Sequence, residues 1–232
     1  MRLDRSDEDS KSVRHSKKVP RLIKKLREGT KGMLEPMSIS IVAQYGRDPF
    51  LVLVSCLLSA RTKDSVTLSA SIRLFEKASS PDTMLELALY ELERLIYPVG
   101  FYRQKAAHLK KLCELLLKKY AGLVPSDFAS LTHLPGVGPK TANLVLGVGF
   151  GIPALCVDVH VHRICNRLGL VRTNTPAQTE QALKKCVPQK YWIELNRLLV
   201  MWGQNVCVPV SPFCSRCVIY DVCDRVGVGK HR

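Results

Sequence analysis

The C-terminal segment CVPVSPFCSRCVIYDVC constrains this chain more than any other stretch. Cys207, Cys214, Cys217 and Cys223 follow a C-x6-C-x2-C-x5-C spacing that puts four thiols within 17 residues. The loop, with Pro209 and Pro212 in it, has too few apolar residues to fold by itself, and four thiolates wrapped on one metal centre would staple it. Zinc and iron–sulfur centres both accept four cysteines. A zinc ribbon uses two C-x2-C knuckles, and only Cys214 and Cys217 form one here, so the spacing favours iron–sulfur while matching neither ferredoxin pattern. Arg216 stands between two of the ligands, and a cation fixed on a rigid loop suits contact with phosphate.

The other five cysteines (Cys56, Cys113, Cys156, Cys165 and Cys186) sit among aliphatic residues, as small buried hydrophobes do. An odd total without a secretory signal argues against a disulfide framework. The expected location is therefore a reducing intracellular compartment, cytoplasmic and nucleoid-associated, or nuclear in a eukaryote. No apolar run approaches the ~18 residues of a membrane span, so no membrane partner is expected. Thirty-five Lys and Arg against twenty Asp and Glu leave a net charge of +15, which points to a polyanion.

The pattern is helical almost throughout, with no alternating strand and no internal repeat. Residues 1–18 form a charged tail with almost nothing to bury. Asp48-Pro49 reads as an N-cap and first-turn proline opening the buried helix FLVLVSCLLSA. In 103–120, Ala106, Leu109, Leu112, Cys113, Leu116 and Leu117 form one stripe, with lysines opposite. Thr175-Pro-Ala-Gln178 fits a capping box, and a further amphipathic helix runs from Tyr191 to about Gly203.

Residues 127–150, DFASLTHLPGVGPKTANLVLGVGF, read as two short helices joined at Leu134-Pro135-Gly136-Val137-Gly138. Gly136 and Gly138 admit angles and close approach that a side chain would block. Pro139 suits the first helical position, and the backbone amides at that helix start make an anion site. Leu131, Leu134, Ala142 and Val145 are placed to pack the two helices together. The hxxhxGxGxxxA spacing in a basic chain is the helix–hairpin–helix pattern of DNA-backbone binding. Lys140 falls in the first turn of the second helix, where the helix dipole and partial burial both favour a neutral, nucleophilic amine. Asp158 precedes another helix; as an N-cap it would be held rigid, which also suits a carboxylate facing a developing cation. His160 and His162 lie two apart, on different helical faces, and so do not share a metal. Arg163 reads as a phosphate or structural contact.

Together these pieces resemble the endonuclease III family of DNA glycosylases with apurinic-site lyase activity. LLSARTKD (57–64), VGFYRQKA (99–106), LPGVGPKTANLVL (134–146), VDVHVHR (157–163) and the cysteine loop carry the resemblance from about Lys18 to Cys223. It implies an all-α fold of two helical lobes: 43–150, containing the hairpin at 127–150, and 19–42 joined to 151–232, containing a [4Fe–4S] loop at 207–223. It implies that Lys140 is the nucleophile and Asp158 the catalytic carboxylate of a base-excision-repair enzyme. The expected partner of this monomer is double-stranded DNA with damaged bases or abasic sites. Oxidised pyrimidines such as thymine glycol would leave through a Schiff base, and β-elimination would nick the strand 3′ to the lesion.

DNA contacts are expected from Arg61, Phe101, Gly136, Val137, Gly138, Arg163 and Arg216. Arg61 stands where family members commonly have Gln, in the position that enters the gap left by a flipped nucleotide. Phe101 replaces a wedge residue that is often Leu, and Val159 replaces a Thr. Two alternatives compete: a monofunctional mismatch glycosylase of the same superfamily, which typically lacks the lysine, and a non-catalytic iron–sulfur DNA-binding or redox protein.

Overall fold

The computed structural model describes residues 18–232. Twelve α-helices are found among them and no strand. They are α1 (18–29), α2 (Met37–Tyr45), α3 (Pro49–Ser59), α4 (Asp64–Phe75), α5 (Pro81–Glu86) and α6 (Leu89–Ile96), followed by α7 (Tyr102–Tyr120), α8 (Phe128–Thr132), α9 (Pro139–Leu144), α10 (Val159–Arg167), α11 (Pro176–Cys186) and α12 (Trp192–Asn205). The expected tail lies outside the described residues, except that Lys18 is already helical and donates to the Leu168 carbonyl at 2.7 Å.

The chain divides into two compact units. One is Glu35–Ala154; the other takes the described part of residues 1–34 together with Leu155–Arg232. The joints fall at 34/35 and 154/155 instead of the expected 42/43 and 150/151. The reason is apolar: Met37 and Ile41 of α2, and Ala154, are buried in the core of the 35–154 unit.

In that unit, α3 is buried along almost its whole length because nine of its residues face neighbours on every side. Asp48 starts it, accepting from the Phe50 and Leu51 amides at 2.8 and 3.1 Å. Along α7, Ala106, Leu109, Leu112, Cys113 and Leu116 are buried as the stripe predicts, while Leu117 is half-buried. Burial pushes the Cys113 thiol up to about 12. The lysines are not all opposite: Lys105 is itself buried. Beyond Leu144 the helix widens into a π turn, Val145–Phe150, that the sequence did not suggest. A Cβ on Gly149 would lie 3.1 Å from Pro49 Cα, so glycine is what lets this turn pack against α3.

The other unit is built on Leu22, Ile23, Leu26, Leu155, Val161, Ile164, Leu168, Leu195, Leu198, Leu199 and Trp202. Gly203 lets α12 approach α10, because a Cβ there would stand 2.5 Å from His160 Nδ1. Thr175 caps α11 by accepting from the Gln178 amide at 3.2 Å. The reciprocal bond of a capping box is displaced by one residue, since Gln178 Oε1 accepts from the Asn174 amide at 2.9 Å.

Candidate functional site

The hairpin at 127–150 has the geometry its spacing demands. Asp127 caps α8 by accepting from the Ser130 amide at 2.8 Å, and these backbone bonds hold its carboxyl below the usual range. Leu131, Leu134, Ala142 and Val145 are buried and lock α8 to α9. Gly136 takes the left-handed conformation at φ +78°, whereas Gly138 is extended at φ −93° and caps α9. Val137 turns its side chain into the core, and its amide donates to the Leu134 carbonyl at 3.1 Å. Of the hairpin residues expected to contact DNA, Val137 thus spends its amide on the turn itself. Lys140 is exposed in the first turn of α9.

Arg61 and Phe101 belong to the same unit as the hairpin. Both are left-handed, at φ +52° and +59°, a conformation that costs a side-chain-bearing residue about 1–2 kcal/mol. Phe101 is 56% exposed, which excludes a core role. The Arg61 guanidinium lies 5.6 Å from the Phe101 ring centre, and both residues line a cavity with Gln104, His108 and Gly136.

The remaining residues belong to the second unit. Asp158 is the N-cap of α10, its Oδ1 accepting from His160 and Val161 amides, both at 2.9 Å. The extended segment leading into it is anchored by Asn196, whose amide group donates to the Cys156 carbonyl at 3.0 Å. Arg163 donates from Nε and Nη2 to the Cys207 carbonyl at 3.1 and 2.8 Å and from Nη2 to Gly203 O at 3.0 Å. The half-buried guanidinium thus clamps the cysteine loop, the structural one of the two contacts expected of it. His162 pairs with Thr179 Oγ1 at 2.6 Å, away from His160, which bonds Arg163. Arg216 is exposed, its guanidinium 4.0 Å from the Phe213 ring centre.

Cys207, Cys214, Cys217 and Cys223 line one cavity with Ile164, Leu168, Trp202 and Phe213. Among the described residues no cluster of three or more His, Cys, Asp or Glu is drawn together as a single ion would need. The donor set nonetheless fits a larger four-thiolate group. Burial pushes the Cys214, Cys217 and Cys223 thiols up. Trp202 is 1% exposed and its indole N–H has no acceptor of hydrogen-bond geometry, although it lies near enough to Cys217 to favour the thiolate. A buried donor facing the sulfurs is accounted for by a sulfur-rich anionic centre. Arg167, which sequence reading passed over, ties the loop at both ends. Its Nη1 lies 3.4 Å from Cys207 Sγ, and its carbonyl accepts from Cys223 Sγ at 3.5 Å.

The chain matches the profile of the HhH-GPD superfamily base excision DNA repair protein over residues 54–189. It is 44% identical over 208 residues to endonuclease III of Thermotoga maritima, spanning 86% of this chain and 98% of that protein. It belongs to the endonuclease III family. Membership makes the chain a base-excision DNA glycosylase and AP lyase and agrees with the all-α fold. A solved non-covalent endonuclease III–DNA complex superposes with a TM-score of 0.79 at 33% identity, covering 90% of this chain and 95% of that one. A trapped endonuclease III–DNA covalent intermediate gives 0.78 at 34% identity, covering 90% and 96%.

Proposed function

We propose that this enzyme removes oxidised pyrimidines such as thymine glycol from duplex DNA, acting as a monomer in the compartment that holds the DNA, with Lys140 as nucleophile. The observation that carries this reading is the placement of an exposed Lys140 in the first turn of α9, directly after the hairpin turn. The likeness to an endonuclease III trapped covalently on DNA supports it.

The damaged nucleotide leaves the stack at a cost of a few kcal/mol, less when its pair is already weakened. The Lys140 amine bonds to C1′ as the base departs with the glycosidic electron pair and a proton. Opening of the sugar ring leaves an imine between Lys140 and C1′. Loss of a C2′ proton and cleavage of the C3′–O bond then release the 3′ phosphate. Asp158, held by its two cap bonds, stabilises cationic character on the sugar or assists these proton transfers. Gly136, Gly138 and Arg216 meet phosphates, while Arg61 and Phe101 face the gap.

Cys207, Cys214, Cys217 and Cys223 would hold a [4Fe–4S] cluster, whose contribution is to cross-link the loop that presents Arg216. The deciding experiment is borohydride trapping on duplexes with thymine glycol, dihydrouracil or an abasic site. A covalent adduct that Lys140→Gln abolishes is expected. Absence of an adduct, or an equal one in the variant, overturns the assignment.

A further inference from the structure

The turns that carry Arg61 and Phe101 are built around a buried ammonium. Lys105 lies one turn into α7 and is 9% exposed. Its Nζ donates to the carbonyls of Leu58 and Ala60 at 2.7 and 2.6 Å and to Thr62 Oγ1 at 3.2 Å. Those carbonyls belong to the C-terminal end of α3, where unpaired oxygens and the negative end of the helix dipole both call for a cation. Lys105 thus closes α3 at the point where the chain reverses through the left-handed Arg61.

The link continues to the second turn through Thr62. Thr62 Oγ1 also accepts from the Gly100 amide at 3.1 Å. The two turns are so close that a Cβ on Gly100 would stand 2.8 Å from the Arg61 carbonyl oxygen. Phe101 follows immediately, its carbonyl accepting from the Lys105 amide at 3.0 Å. Lys105, with Thr62 as the bridge, therefore ties together both turns whose outward faces are Arg61 and Phe101.

We propose that Lys105 is a positioning residue that presents Arg61 and Phe101 as one rigid pair to the gap left by a flipped nucleotide. This rests on the reading of those two residues as gap-facing. A loosely held pair would lose conformational entropy on entering the base stack; the pinned pair has already lost it. A neutral side chain at 105 would fill the volume but leave carbonyl oxygens at the end of α3 without a donor.

The test uses the full chain in a Lys140→Gln background, with a duplex carrying a tetrahydrofuran abasic analogue opposite 2-aminopurine. Filling of the gap unstacks the 2-aminopurine and raises its fluorescence at saturating protein. Adding Lys105→Met is expected to shift the gap-filled population on the order of tenfold, with a smaller change in dissociation constant. Thr62→Val removes the bridging hydroxyl, and with it one of the amine's three acceptors, while the Leu58 and Ala60 carbonyls stay bonded; it should lower the saturated signal in the same direction, and it decides the matter if Lys105→Met does not fold. Arg61→Ala with Phe101→Ala sets the floor. A full signal in the Thr62 and Lys105 variants while that double variant is dark overturns the role of Lys105. A full signal in the double variant overturns the gap-facing reading, and the proposal with it. Loss of affinity with an undiminished saturated signal makes Lys105 structural only and also overturns it.

Discussion

The Arg61 guanidinium stands 5.6 Å from the centre of the Phe101 ring, with both backbones left-handed. Their stacking makes the two side chains one surface, although 40 positions separate them in sequence. Arg has five N–H donors and no acceptor, so it can bond guanine O6 and N7 but cannot copy an amide's pairing with other bases. Arg61→Gln should therefore reorder the preference for the base opposite the lesion more than it changes overall turnover. Single-turnover rates on the four opposite bases check this, and equal scaling on all four counts against it.

Asp158 combines two tasks that substitution can separate. Asn keeps an oxygen for the His160 and Val161 amides but carries no charge. Asp158→Asn should melt close to wild type while losing turnover on the order of a hundredfold. Asp158→Ala should also lose the cap, at about 0.5–2 kcal/mol. Thermal melts beside nicking rates distinguish the two, and full activity in the Asn variant removes the carboxylate from the mechanism.

Trp202 depends on Gly29. A Cβ on Gly29 would lie 2.7 Å from Val218 Cγ2 and 2.9 Å from the Trp202 ring, so the indole is wedged where only glycine fits. Gly29→Ala should destabilise the folded chain by about 1–3 kcal/mol through overpacking. Trp202→Phe keeps most of the ring but removes the N–H that faces Cys217. Purified Trp202→Phe should keep the broad absorption near ~400 nm of a four-thiolate cluster and shift its reduction potential downward, because a donor to sulfur favours the more negative state. An unchanged potential, read by protein-film voltammetry, would show that the N–H does not touch the cluster.

The helices were largely legible in the sequence because their signals are local. Asp48 before Pro49 and the Leu109, Leu112, Leu116 stripe each specify an element from neighbours within a few positions. Lys105 was not legible. Its acceptors lie 47, 45 and 43 residues away, so its alternation with other lysines on α7 suggested a solvated face. One clue was available: it sits four before Leu109, on the edge of the apolar stripe. Arg163 was legible only as a choice between a phosphate and a structural contact. Its charge suggested DNA, whereas its carbonyl partners on Gly203 and Cys207 exist only once α10 and α12 have packed. The π turn after α9 likewise follows from the approach of Gly149 to Pro49, a contact across a hundred residues.

Removal of the cluster should loosen one unit before the other. Each unit has its own aliphatic core, but only the unit with the cysteine loop has further contacts that converge on residues 207–223. Arg21 and Lys25 of α1 pair with Asp221 at 2.5 and 2.9 Å, and Lys25 also donates to the Val218 carbonyl at 3.2 Å. Arg167 holds Val208 and Pro209 through their carbonyls at 2.8 and 2.7 Å. These exposed pairs contribute little singly, and the cluster proposed for the four thiolates would keep them in register. Cys217→Ser, or anaerobic chelation of the iron, should bleach the ~400 nm absorption and speed amide exchange through residues 207–223, along α1 and at the C-terminal end of α12. Exchange in α3 and α7 should stay slow. Uniform acceleration across both units would mean that the cluster supports the whole chain and not this loop alone.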